Sequence, residues 1–126
     1  EGDPKVKARM RSLMLEQMKR RMLDEVKTAD VVVTNPTHYS VALRYKREEG
    51  APRVVAKGQG FLALRIREIA REHGVPLLEN PPLARALYRT ADVGEFVPVD
   101  LYESVAQVLA AVYRADQAKS ATAGAR

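Results

Sequence analysis

The chain has 126 residues, 46% of them hydrophobic, with a formal net charge of +5 and an isoelectric point near 9.7. That length and apolar content suit one compact domain around a single core. The lack of cysteine excludes disulfides, thiolate metal sites and cysteine nucleophiles, and His38 and His73 are too few and too separated for a zinc site, so no metal and no other cofactor is expected. No apolar run approaches the roughly 20 residues of a membrane helix, and no signal-peptide pattern is present, so these residues read as soluble. The positive charge points to an acidic partner: nucleic acid, anionic lipid headgroups or an acidic protein.

Asp3-Pro4 reads as an N-cap followed by proline at the first helical position, which predicts a helix to about Val26. Val6, Met10, Leu13, Met14, Met18, Met22 and Val26 form its apolar stripe, and all four methionines recur at intervals of four. At about 100° per residue each step drifts by about 40°, so the stripe curls around the helix; an adaptable packing stripe is expected. The same segment carries Lys5, Lys7, Arg9, Arg11, Lys19, Arg20, Arg21 and Lys27 against only Glu16, Asp24 and Glu25. It has no aromatic for base stacking, which argues against nucleic acid; a basic helix at a membrane surface fits better, with a solvated charged face as the plainer alternative.

Val31-Val32-Val33 then reads as a buried strand that stops abruptly at Thr34-Asn35-Pro36-Thr37-His38. Pro36 has no N–H, so the usual attack of the following backbone nitrogen on an asparagine side chain is blocked. The reverse route stays open: the Asn35 side-chain nitrogen attacks its own backbone carbonyl, closes a succinimide and expels the Pro36 nitrogen. A neutral amide is a weak nucleophile, so such a step needs the fold to hold it in a near-attack geometry. His38 suits proton transfer, and Thr37 suits hydrogen bonding to the developing oxyanion, through its hydroxyl or its N–H. An ordinary Asn-Pro turn with a surface histidine accounts for the same residues.

Tyr39 to Tyr45 alternates as a second strand, Lys46 to Pro52 is a charged loop, and Arg53 to Ala56 is a short third strand. Gly58 and Gly60 open a helix, but without a third glycine or a Walker lysine they are a weak phosphate signal. Leu62, Ile66, Ile69, Ala70 and His73 follow a helical stripe that Gly74 ends, with His73 in a structural capping role. Val75 to Glu79 reads as a fourth strand, so the segment from 53 to 79 predicts a parallel crossover. Asn80-Pro81-Pro82 caps another helix, and Asp100 with Glu103 is a capping-box start for the last one. That helix has two stripes: Leu101, Val105, Val108 and Val112, and beside them Tyr102, Ala106, Leu109 and Tyr113. One suffices for a core; the second is either deeper burial or a docking surface. The fold expected is α/β, a single domain with a central sheet of about four strands surrounded by about four helices, one of them a long N-terminal helix. Residues 1–28 form a basic linker helix, 29–115 the compact domain, and 116–126, with nothing large to bury, a disordered tail.

The string Asn35-Pro36-Thr37-His38 directly after a valine strand resembles the self-cleaving motif of the type III secretion export-switch family, the FlhB proteins of flagella and the YscU-like proteins of injectisomes. The similarity extends through Gly2-Asp3-Pro4-Lys5-Val6-Lys7, Val54-Val55-Ala56-Lys57-Gly58, Ala63 to Ala70 and Pro81 to Arg89, and covers residues 2 to about 114. The first and last of these segments look more flagellar than injectisome. The resemblance implies a single-turnover cut between Asn35 and Pro36 rather than a turnover enzyme, and a part in switching export from rod and hook to filament substrates. It also implies an apolar substrate-docking patch at Ala51, Pro52, Ala106 and Leu109. Lys5, Lys7, Arg9 and Arg11 would then be membrane-proximal, in a linker from preceding membrane helices to the cytoplasmic face of the bacterial inner membrane. The partners implied are other flagellar export-gate proteins, the hook-length control protein and export substrates. The rival expectation is a basic α/β module that binds nucleic acid or anionic membrane, with Asn35-Pro36 an inert turn.

Overall fold

The computed structural model describes residues 2 to 124. Asp3 is extended and its carboxylate accepts from the Lys5 N–H, which starts helix α1, Pro4–Glu25. A short 3-10 turn, Val26–Thr28, leads into strand β1, Val31–Asn35. Strand β2 is Tyr39–Arg44, strand β3 Arg53–Gln59, helix α2 Phe61–Glu72 and strand β4 Leu77–Glu79. Helix α3, Pro81–Thr90, and helix α4, Tyr102–Gly124, complete the order.

The four strands form one sheet in the order β3-β2-β1-β4. Strand β1 pairs antiparallel with β2 and parallel with β4, and β2 pairs antiparallel with β3 across an irregularity at Ala42/Leu43. Strands β3 and β4 are therefore parallel, as the sequence predicts, but β2 and β1 lie between them. The fold expected from the sequence, a single α/β domain with four strands, four helices and a long N-terminal helix, is the fold observed.

Three adjacent valines can all be buried only if both faces of the sheet are covered. Val31 and Val33 join Val41, Leu43 and Val54 on one face, under Leu83 and Leu87 of α3 and Val105 and Val108 of α4. Val32 joins Ala42, Val55 and Ala56 on the other face, under Ile66, Ile69 and Ala70 of α2 and Val26 after α1.

Two expectations are corrected. The α1 stripe does not pack: Val6, Met10, Leu13, Met14 and Met18 are 41–60% exposed, and only Met22 and Leu23 reach the core, followed by the fully buried Val26. The helix touches the body only at its last turn, so the stripe's drift carries it past no partner. The expected tail is also helical over 116–124: α4 runs to Gly124, and Ala115 and Ala118 favour helix intrinsically along the exposed stretch 113–120. Ala125 and Arg126 lie outside the described residues. At the start of α4, the 3-10 turn Val99–Leu101 stands where a capping box was expected, with no side-chain cap bond.

Among the described residues no helix is long and apolar enough to cross a membrane, and no cluster of three or more side chains could hold a metal ion.

Candidate functional site

Asn35 is the last residue of β1 and pairs with Tyr39, the first of β2, so Pro36-Thr37-His38 is the whole connection between them. The His38 N–H donates to the Asn35 carbonyl oxygen at 2.9 Å, closing a four-residue turn. Proline in the second place and a positive φ in the third are the signature of a type II turn. The third place is normally glycine or asparagine; here it is Thr37 at φ 72. A β-branched residue in the left-handed region costs on the order of 1–3 kcal/mol, so the turn is strained where the chain would be cut.

The strain is held in place from below. The Gly60 N–H donates to the His38 carbonyl at 3.1 Å, and the Asn80 N–H donates to the Thr34 carbonyl at 2.9 Å. Buried Ser40, opposite Thr34, donates its hydroxyl to the Ala63 carbonyl of α2 at 2.9 Å. Tyr39 stacks on Tyr88 of α3 with ring centroids 4.6 Å apart. The two strand ends are thus fixed by α2, α3 and β4, while Pro36, Thr37 and His38 are exposed.

Asn35 itself is half-buried, and no hydrogen bond tethers its carboxamide among the described residues. The side chain remains free to face its own carbonyl carbon. That carbonyl is already polarised by the His38 N–H, which also lies where an oxyanion would form. The sequence suggests Thr37 for the oxyanion contact; in the uncut turn the hydrogen bond to that oxygen comes from the His38 N–H. The Thr37 hydroxyl lies 3.4 Å from His38 Nδ1, so threonine reaches the imidazole rather than the carbonyl.

Gly58 and Gly60 are explained without phosphate. A Cβ at Gly58 would sit 2.6 Å from Leu62 Cγ, so glycine is what lets β3 and α2 meet. Gly60, at φ 59 and ψ −126, makes the sharp entry to α2 that aims its N–H at His38. Neither glycine's role was visible without knowing that β3 ends beside the Asn35 turn. His73 is a cap, its Nδ1 lying 3.0 Å from the Ile69 carbonyl.

At the other end of the sheet lies an apolar groove of about 350 Å³. Pro52, Ala106 and Leu109 line it, together with Tyr45, Gly50, Tyr102, Ala110 and Tyr113. Ala51 is half-buried beside Pro52 and does not line it. The two stripes of α4 divide incompletely: Val105, Val108 and Val112 pack in the core and Tyr102, Ala106 and Tyr113 line the groove, while Leu109, 6% exposed, belongs to the core and also forms the groove floor. Sequence reasoning missed Tyr45, whose backbone N–H is fixed by Asp30 at 2.7 Å. Burial raises the Tyr113 phenol above its ordinary 10.0, with Asp30 and Tyr45 adding to the effect.

Lys5, Lys7, Arg9 and Arg11 are exposed on the free part of α1, and none joins an ion pair among the described residues. They are brought together with neither the turn nor the groove.

A family model described as the FlhB HrpN YscU SpaS Family matches residues 1–112. The flagellar biosynthetic protein FlhB of Salmonella typhimurium is 58% identical over 115 residues, which cover 90% of this chain and 30% of that protein. The chain thus spans about 30% of the length of this curated relative. Among solved structures, the cytoplasmic domain of FlhB from Shewanella putrefaciens superposes with a TM-score of 0.79 at 44% identity, covering 82% of this chain and 80% of that one. The C-terminal domain of EscU carrying an asparagine-to-aspartate substitution superposes with a TM-score of 0.69 at 34% identity, covering 72% and 98%.

Proposed function

The chain belongs to the FlhB HrpN YscU SpaS family, and from that premise we propose that it is the part of a flagellar export-apparatus component that cuts itself once between Asn35 and Pro36. The Asn35 side-chain nitrogen attacks the Asn35 carbonyl carbon and forms the succinimide ring. The bond to Pro36 breaks, and the proton lost by the attacking nitrogen goes to the departing proline nitrogen. His38 relays that proton and Thr37 orients its ring. No cofactor enters and no second turnover follows, because the attacking group is consumed.

One observation supports this reading: no hydrogen bond tethers the Asn35 carboxamide elsewhere among the described residues, and the Asn35 carbonyl oxygen accepts from the His38 N–H at 2.9 Å. Freeing the strained turn then alters the surface through which export passes from rod and hook to filament substrates. Pro52, Ala106 and Leu109, with Ala51 beside them, dock those substrates. The other partners are export-gate proteins and the hook-length control protein. On this reading α1 lies against the anionic cytoplasmic face of the inner membrane, below a membrane-embedded part of the protein, and the exposed charges of Lys5, Lys7, Arg9 and Arg11 support it.

A denaturing gel with intact-mass measurement tests the cut. The purified chain is expected as two fragments, residues 1–35 and 36–126, and Asn35→Ala as a single band. Full-length material alone after long incubation would refute self-cleavage and leave an inert turn on a basic binding module. Cleavage at the same bond in Asn35→Ala would refute the succinimide route.

A further inference from the structure

A second cavity, of about 470 Å³, opens beside the start of β4, where Lys27, Ala29 and Asp30 lead into β1. One wall is the segment from His73 to Leu78, and the other is α4 through Ala111, Val112 and Ala115, whose small side chains leave the space open. Strand β4 is the end strand of the sheet, with β1 on its inner side. Val32 N–H donates to the Pro76 carbonyl and Asn80 N–H to the Thr34 carbonyl, so positions 76, 78 and 80 face β1. By strand alternation the N–H and C=O groups of Leu77 and Glu79 point away from β1, those of Leu77 beside this cavity, and no hydrogen bond reaches them among the described residues. The chemistry that matches such a row is another peptide backbone.

Tyr113 lines both this cavity and the apolar groove that holds Pro52, Ala106 and Leu109. Tyr113 is where the two adjoin on α4. We propose that the extended segment of an export substrate, anchored by apolar side chains in the groove, continues past Tyr113 and adds to the free edge of β4 as a fifth strand. This rests on the docking reading given above. A three-residue edge beside Pro76 and carrying Glu79 resists pairing with a passing chain, so the anchor is what holds the extension there. Groove side chains then select the anchor, and the edge binds whatever extended sequence follows it. One site can thereby serve substrates that share little beyond an apolar anchor.

The test uses two fluorescein-labelled synthetic peptides and the full chain. One peptide is a six-residue anchor with two leucines; the other adds Thr-Val-Thr-Ser-Val-Thr. Affinity is read by anisotropy, and amide exchange is followed residue by residue. The longer peptide is expected to bind at least about tenfold more tightly, to slow exchange at Leu77 and Glu79, and to lose that gain when alternate amides of its extension are N-methylated. Glu79→Pro, which removes one outward donor and no bond to β1, is expected to reduce the gain while leaving anchor binding unchanged. Shifts at Ala106 and Leu109 with unchanged exchange at Leu77 and Glu79 would overturn the fifth strand and leave the docking reading standing. Protection at Leu77 and Glu79 without any effect at Ala106 or Leu109 would uphold the strand and overturn the anchor. Binding of neither peptide would overturn both.

Discussion

At the turn, the division of labour between backbone and side chain decides what a substitution does. The donor at the Asn35 carbonyl is the main-chain N–H of His38, which His38→Ala retains. On the proposed mechanism loss of the imidazole removes only proton transfer, so His38→Ala is expected to slow cleavage by about 10²- to 10⁴-fold without abolishing it, measured as fragment appearance over time. Complete loss in a folded variant would show that proton transfer outweighs positioning. Thr37 occupies a conformation that glycine adopts freely. In an Asn35→Ala background, which keeps the chain intact, Thr37→Gly is expected to raise stability by about 0.5–1 kcal/mol in urea unfolding, the relieved strain exceeding the added freedom of glycine in the unfolded chain. A decrease would mean that the positive φ carries no strain.

Elements were legible in the sequence wherever the local pattern and the tertiary surroundings agree. Asp3-Pro4 and Asn80-Pro81 start helices because their side chains satisfy the first free N–H groups, at Lys5 and Leu83. The Val31-Val32-Val33 run identified a strand buried on both faces, and the Asn35 turn followed from the residues that end it. Strand order was not legible, since nothing local states that β1 takes β4 rather than β3 as its second neighbour. The exposed α1 stripe was misjudged for a related reason: periodicity reports which face is apolar, not whether anything comes to cover it. The α4 extension shows the converse, with alanine prolonging the helix through an exposed stretch beyond its packing face. Gly58 illustrates a constraint that only the fold reveals. Gly58→Ala puts a methyl 2.6 Å from Leu62 Cγ and is expected to cost about 1–3 kcal/mol, read from thermal or urea unfolding. Adding Leu62→Ala should recover part of that loss; no recovery would locate the cost in the backbone instead.

For the molecule as a whole, the cut is expected to change connectivity without changing the fold. Val31, Val32 and Val33 are fully buried, and β1 is paired on one side with β2 and on the other with β4, both of which belong to the fragment 36–126. The two fragments should therefore run as a single species in gel filtration and separate only in denaturant. Separate elution under native conditions would show that the ladders and core alone do not hold β1. The turn and the groove lie at opposite ends of β1 and β2, about 13 Å apart along the strand at about 3.3 Å per residue. The protruding α1 enters the sheet at the end nearer the groove, so tension on that arm pulls β1 lengthwise. In the uncut chain the far end of β1 is moored to β2 by three residues. Once cut, no covalent link would moor it, and the same tension would load both ladders in shear. Severing that one bond, as proposed, would turn an inner plank of the sheet into a sliding bolt, retained by its two ladders and its buried valines and released only by a force that breaks every rung together.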